Sequence, residues 1–340
     1  MTSRRSRGWT LAPLLLAAGL GILQPRPACS QGVWPEIDPG DLAMKDCPQQ
    51  PGAAAVILYR EEITNGDSYT TTVFKRLKIL TDAGRDYSNI EIPFLTGITK
   101  ITGIQARVVP PQGPAREFGG QIFDKTAMRY RKLRVAAKTF ALPDVAVGSI
   151  IDYRYRIEID DADTGSTGGL EDIVTGLGGS GGRPEEGGYV QRTELRALPF
   201  ESWDVQEELF TKKAKFATTT ALDLISYLFG RSGCKVSWVS IGKMSAKPTI
   251  EKREITLELV DIPPFEEEDF SVPEETIRTS VDLFYVSGAV VDNNEFWKLE
   301  SEDWQAGVED FLGKPGKHSA AAGEVVGDAT DPMEKLRRIY

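Results

Sequence analysis

Two residue types here can do covalent chemistry near neutral pH, and both are scarce. The chain has 340 residues, with three cysteines and one histidine. A catalytic thiol must be held as thiolate, commonly at a helix start. It also needs a histidine base that a carboxylate or amide orients. Gly233-Cys234 offers such a nucleophile superficially, and His318 is the sole candidate base. Cys234 runs into Lys235-Val-Ser-Trp-Val239, however, which alternates as a strand does. His318 sits in Lys317-His-Ser-Ala-Ala321, within a stretch rich in Gly, Ala and Lys. We therefore expect a strand cysteine and a linker histidine, and assign no catalytic residue.

Other constellations are equally spare. Glu266-Glu-Glu-Asp269 with Glu274-Glu275 has the charge for Ca²⁺. It lacks the Asp-x-Asp-x-Asp-Gly order of a dedicated loop, so a solvated acidic loop is expected. Gly176-Leu-Gly-Gly-Ser-Gly-Gly182 suggests a phosphate cradle. Such a cradle needs a strand before it, a helix after it and usually a lysine. Arg183-Pro184 follows instead, which fits a flexible insertion. Trp203, Trp238, Trp297 and Trp304 suit a sugar platform or a packed core, and the core role is commoner. Paired carboxylates for glycoside hydrolysis are available in any acidic β-protein, and nothing singles out a pair. No cofactor and no metal site is assigned.

The elements that would hold these residues are mostly strands. Ala54 to Ile63 reads as an apolar strand. Asn65-Gly66 after it is a strong hairpin signal. Ser68 to Leu80 alternates, with Tyr69, Thr71, Val73, Leu77 and Ile79 on one face. Thr70, Thr72, Arg76 and Lys78 take the other, and Phe74 among them suggests partial cover. Further strands are expected at 86–92, 98–109, 130–140 and 149–159, then at 189–198 and 202–210. Residues 217–229 fit either a short helix or a strand. Strands at 235–241, 249–260 and 280–286 complete the set. Many short strands at regular spacing argue for a mainly β fold, an antiparallel β-sandwich with a few short helices. Residues 160–188 break the pattern as a Gly-rich insertion. After Asp292, residues 294–312 suit an amphipathic helix or two, and 314–327 a linker. Asp331-Pro-Met-Glu334 then places a cap, a proline at the first helical position and an acid in the first turn.

Arg4, Arg5 and Arg7, the apolar run Leu11 to Leu23 and Ala28-Cys29-Ser30 form a secretory signal with cleavage before Gln31. A lipoprotein with Cys29 as the lipidated residue is the alternative, though Arg26 fits a lipobox badly. Removing residues 1–30 takes away Arg4, Arg5, Arg7 and Arg26 and no acid. The net charge moves from −10 to −14. An acidic exported chain is a poor partner for nucleic acid or anionic membrane. No further run is long and apolar enough for a membrane helix. Cys47 and Cys234 remain after cleavage, and their spacing does not decide between a disulfide and two free thiols. The organisation read from this is a signal peptide at 1–30, a leader arm at 31–53 and a β-domain at 54–290. A helical segment and linker follow at 291–340.

Leu142-Pro-Asp-Val-Ala-Val-Gly-Ser-Ile-Ile-Asp-Tyr-Arg-Tyr-Arg156 places a Leu-Pro step and a glycine turn before a strand. There Ile150, Asp152, Arg154 and Arg156 alternate with Ile151, Tyr153, Tyr155 and Ile157, giving a polar face and an apolar-aromatic one. This pattern resembles the bacterial domain of unknown function 3857, which precedes transglutaminase-like domains. Ser202-Trp-Asp-Val-Gln-Glu207 resembles the strand after that family's central loop, and Ile262-Pro-Pro-Phe-Glu-Glu-Glu268 its stretch of two prolines and acids between late strands. Asp328 to Tyr340 resembles the lead into a transglutaminase-like core. The resemblance implies an exported, non-catalytic accessory β-domain of a transglutaminase-like protein, lacking the Cys-His-Asp core. Its partner would be a transglutaminase-like domain in cis or another exported protein. Two alternatives remain: a stand-alone peptide- or glycan-binding module, and the N-terminal fragment of an active transglutaminase-like cysteine protease.

Overall fold

The β1–β2 hairpin, Ala55–Asn65 and Thr70–Ile79, nucleates the centre of the molecule. The Asn65 side chain accepts from the backbone N–H groups of Asp67 and Ser68, at 3.0 and 3.1 Å, which closes the turn. This is a computed structural model, and it describes residues 33–130, 133–160, 197–221, 234–266, 270–287, 293–312 and 317–340. The signal expected at 1–30, the insertion expected beyond Asp160 and residues 222–229 fall outside the described residues. Pro39–Tyr340 forms one compact unit.

Eight strands build the main sheet. Besides the hairpin these are β4 (Thr99–Val109), β5 (Arg116–Glu117), β8 (Ile150–Ile159), β10 (Thr211–Thr219), β12 (Thr249–Glu251) and β13 (Glu254–Ile262). Their order is β12-β13-β10-β1-β2-β8-β4-β5. Both margins end in strands of two or three residues, which cover only Arg107-Val108 of β4 and Glu254–Thr256 of β13. A second sheet holds β3 (Asn89–Leu95), β7 (Leu133–Ala141) and β6 (Phe123–Tyr130), in that order. A third orders β11 (Cys234–Ile241), β14 (Ser280–Ser287) and β9 (Ala197–Asp204). The fold is mainly β, and among the described strands all pairs are antiparallel but one: β1 and β10 run parallel, with Ile57 opposite Thr211.

Several local expectations change. The strand read at 202–210 is instead the end of β9 followed by irregular chain, and β10 begins at Thr211. The stretch 249–260 is a hairpin that turns at Lys252-Arg253, with Lys252 at φ +56°. A 3-10 turn at Ala83–Ser88 takes the start of the strand expected at 86–92. The expected linker at 314–327 contains a helix. The described α-helices are α1 (Pro39–Ala43), α2 (Asn293–Leu312), α3 (Lys317–Val326) and α4 (Pro332–Ile339). Asp331 caps α4 as expected, its carboxylate accepting from the Glu334 N–H at 3.0 Å. Residues 39–53, read as leader arm, lie against the sheet. Asp41 pairs with Lys212, and Lys78 Nζ donates to the Leu42 carbonyl at 2.8 Å. Gly148 supplies a φ of +86° ahead of β8, where a Cβ would also crowd Pro111.

Strand alternation sorts the main sheet into two faces. One carries Leu77, Ile79, Ile151, Ala106 and Val108, packed with Ile90, Ile92 and Phe140 of the second sheet. At the far end the same face carries Ala214, Phe216, Ile255, Leu257 and Leu259, packed with Trp203, Val281 and Leu283 of the third. The two small sheets thus cover opposite ends of one face. A buried core aromatic of this kind contributes on the order of 1.5–3 kcal/mol. The other face is polar, and Arg76 and Lys78 are nonetheless buried there. Asp152, fully buried, bridges three strands. It accepts from Arg76 Nε at 2.7 Å and Nη2 at 3.0 Å, and from Arg107 Nη2 at 2.7 Å and Nε at 2.9 Å. Such a buried carboxylate holds only when its oxygens are fully hydrogen-bonded, as these four bonds make them.

Candidate functional site

Between the two covered ends, the middle of the inner face is lined by charge. Register fixes the rungs. Arg60 of β1 lies opposite Lys75 of β2, and Lys75 opposite Tyr153 of β8. The next rung is Glu62, Val73 and Tyr155, and the one after is Thr64, Thr71 and Ile157. Period-2 alternation puts all three rungs on the face that the small sheets flank. From the third sheet, Glu201 and the chain after β9, with Glu207, reach over the same rungs.

Glu207 ties the first rung together. Its Oε1 accepts from Lys75 Nζ at 2.6 Å and pairs with Arg60 Nη1 at 3.0 Å. Arg60 Nη2 donates to Glu62 at 2.9 Å and Nη1 to the Asp204 carbonyl at 2.6 Å. The guanidinium carbon stands 4.9 Å from the centre of the Phe216 ring. Arg278 donates from Nε and Nη2 to the Gln206 carbonyl, at 2.9 and 2.6 Å, and holds the loop that carries Glu207. The side chains of Glu62, Lys75 and Glu207 remain 17–21% exposed although flanked by two packed cores. These charged side chains thus keep partial contact with solvent.

Burial and neighbours shift the ionisations. Burial alone would lower Arg60, but Glu207 and Glu62 outweigh it and hold it above its ordinary value. Burial would raise Glu207, but Lys75 and Arg60 hold it low. Lys75 is lowered, mainly by burial, against the pull of Glu207. Tyr153 and Tyr155 are raised by burial first, then by Tyr155 and Glu62 respectively. Glu201 is pushed up to about 7 by burial, while hydrogen bonds from Thr64 and Thr218 oppose that and Glu62 adds to it. The arrangement can hold a proton on Glu201 near neutral pH. It also sets alternating donors and acceptors side by side. It offers no activated nucleophile.

The residues singled out from sequence scatter. Cys234 opens β11 half-buried, and burial raises its thiol above the ordinary value. His318 falls in the first turn of α3. Cys47 is buried, and it and Cys234 are both free thiols, so they form no disulfide with each other. Trp203 is fully buried and Trp238 packs beside it, whereas Trp297 and Trp304 are 68% and 77% exposed on α2. The four make no common platform. Glu274 pairs with Arg278. Residues 267–269 and the glycine run 176–182 lie outside the described residues, and among those described no group of three or more His, Cys, Asp or Glu is placed to hold a metal. No described helix is long and apolar enough to cross a membrane. Reading along the chain passes over the residues of this charged cluster. Their one sequence signal is Arg60 and Glu62 interrupting an otherwise apolar strand.

Residues 66–167 match the family model of a domain of unknown function, DUF3857, a span running from the β1–β2 turn past β8. The family suggested by Leu142–Arg156 holds for that span. Among curated proteins nothing matches. Of solved structures, a proposed protease from Parabacteroides distasonis is similar at 11% identity and a TM-score of 0.46. The match covers 84% of this chain and 49% of that one. Leukotriene A4 hydrolase of Saccharomyces cerevisiae is similar at 7% identity and a TM-score of 0.29, over 73% of this chain and 33% of that one. This chain thus spans half or less of the length of those proteins.

Proposed function

We propose that this chain, built around a DUF3857 span, is an exported, non-catalytic accessory module that holds a transglutaminase-like domain, in cis or on another exported protein. The observation that carries the reading is the apolar surface of its C-terminal helices. Met333, Leu336 and Ile339 on α4 are 59%, 53% and 54% exposed, and Trp297 and Trp304 stand out on α2. Surface of this kind marks a protein–protein contact. The non-catalytic part is supported by Cys234. A free thiol has a pKa of about 8.5, and burial moves this one further from thiolate. Export is supported by the basic and apolar start of the chain, and the mature N-terminus is then Gln31.

The test uses the chain purified from Gln31 and a transglutaminase-like domain from the same genome. Calorimetry should show binding that Leu336→Asp abolishes while the circular dichroism of the β body is kept. No binding would sink the accessory role. In parallel, the chain and Cys234→Ala are incubated with a glutamine donor and an amine acceptor, and separately with casein. Both should give the same background. Turnover lost in Cys234→Ala would make this chain an enzyme.

A further inference from the structure

We propose that Asn65-Gly66 is a covalent modification site, at which the chain deamidates and isomerises to isoaspartate whenever β10 and the β12–β13 turn are not docked on the β1–β2 turn. The modification then marks chains whose late strands have withdrawn or have not yet arrived. The proposal does not depend on the accessory role.

The chemistry needs only water. Asn65-Gly66 is the one Asn-Gly pair in the sequence. Glycine has no side chain to hinder its own nitrogen and bends freely. The Gly66 nitrogen gives its proton to hydroxide and bonds to Asn65 Cγ. Nδ2 takes up a proton and leaves as ammonia, which closes a five-membered succinimide. Water then opens the ring. If the bond from nitrogen to Cγ breaks, an ordinary aspartyl residue results. If the bond from nitrogen to the Asn65 backbone carbonyl carbon breaks, the chain runs through Cγ as isoaspartate.

The docked fold opposes this path at each atom. Asn65 is exposed to water, but Gly66 beside it is buried. The Gly66 N–H donates to Oγ1 of Thr219, the last residue of β10, at 3.0 Å. A buried, bonded amide yields its proton only when the structure opens locally. A Cβ on Gly66 would lie 2.0 Å from the Thr219 carbonyl oxygen, so the glycine has no room to swing toward Cγ. The Asn65 carboxamide faces onward, its Oδ1 accepting from the Asp67 and Ser68 N–H groups. Arg253, in the β12–β13 turn, fixes the far side. Its Nη2 donates to both Asp67 carboxylate oxygens at 2.6 and 2.7 Å, and to the Thr220 carbonyl at 2.7 Å. The carboxamide contacts are local and survive in a free hairpin. The Thr219 and Arg253 contacts reach across 153 and 186 residues, so they exist only after long-range docking. Isoaspartate also lengthens the backbone by one methylene ahead of Gly66. That moves the Gly66 N–H off Thr219, so the mark opposes the docking that prevents it.

The test incubates the chain from Gln31 at pH 8, in buffer and in urea. Peptide mass spectrometry follows deamidation at Asn65, and isoaspartyl methyltransferase labelling follows isoaspartate. The folded parent should react at least about tenfold more slowly than the same chain in urea. Thr219→Val keeps the branched shape and removes the acceptor. Arg253→Met changes a half-exposed side chain, so it tests the same point even if Thr219→Val does not fold. Each should speed the reaction in buffer about fivefold and match the parent in urea. Ile92→Val, in the core between the main and second sheets, serves as a control for general loss of stability. It should keep the parent's slow rate in buffer. Three results would overturn the proposal: a parent that reacts as fast folded as in urea, folded variants at Thr219 and Arg253 that react no faster than the parent, or an Ile92→Val chain that reacts as fast as they do.

Discussion

Among the described residues, Glu201 is the one carboxyl whose setting moves its titration toward neutral pH, to about 7, and burial is the chief reason. The sign follows from linkage. Unfolded, the group titrates at about 4.3, so between that value and about 7 the folded chain binds more protons than the unfolded one. The stability Glu201 supplies is complete below the lower value and is lost as pH rises through the upper one. Glu201→Gln cannot ionise. It should therefore equal the parent at pH 4 and exceed it at pH 8 by roughly 1–3 kcal/mol. Urea midpoints of both proteins at the two pH values decide this. An unchanged difference between pH 4 and pH 8 would mean that Glu201 is not held in the protonated form.

Among elements, the β1–β2 turn is pinned by its neighbour across the parallel pair. A Cβ at Gly66 would lie 2.0 Å from the Thr219 carbonyl oxygen and 3.0 Å from the Ala221 nitrogen, both backbone atoms. Gly66 N–H also donates to Thr219 Oγ1 at 3.0 Å. Gly66→Ala should destabilise by about 1–3 kcal/mol, because the end of β10 must shift. Gly119→Ala, which meets nothing within 4 Å, should change the urea midpoint little and serves as the control. Much at this scale is legible in the sequence. The two faces of β8 and the Asp331 cap follow from residue type and period alone. β10 does not, because Lys212, Lys213, Ala214 and Lys215 have no strand preference and only the central place in the sheet makes them extend. The β12–β13 turn has no Gly, Asn or Pro. Its one signal is a break of parity, with Ile250 even and Ile255, Leu257 and Leu259 odd. In α3, Ala320-Ala-Ala322 favours helix, but Gly313, Gly316 and Gly323 around it read as linker. The charged cluster is hidden for a different reason. Its residues come from β1, β2, β8 and β9, and no spacing along the chain announces a cluster made by register.

For the whole molecule, phenols dominate the alkaline limit. Burial raises Tyr59, Tyr153 and Tyr155, and takes Tyr285 to about 12. Unfolded tyrosine titrates at about 10. Above that pH the unfolded chain releases protons that the folded one keeps, so the stability these groups supply is full below pH 10 and is lost as pH rises through their folded values. Lys75 and Lys78, lowered by burial, act in the opposite sense. Their effect ends at the unfolded lysine value of about 10.4. The urea midpoint should therefore hold between pH 8 and 10 and fall steeply by pH 11. A flat midpoint across that range would contradict the burial of these phenols.

The parallel pairing of Ile57 with Thr211 also sets an order in time. A chain made from its N-terminus can close the β1–β2 hairpin early, since the contacts are local. The other side of β1 has no strand to join until Thr211–Thr219 has emerged and travelled back past the whole DUF3857 span. Long-range parallel closure is slow, because the loop entropy is spent before the ladder repays it. During that interval β1 presents an open row of amides and carbonyls, beside a charged rung that has not yet met Glu207. The molecule is therefore most exposed to wrong pairing before its middle strand arrives, and a chaperone that shields β1 would act on this one interval.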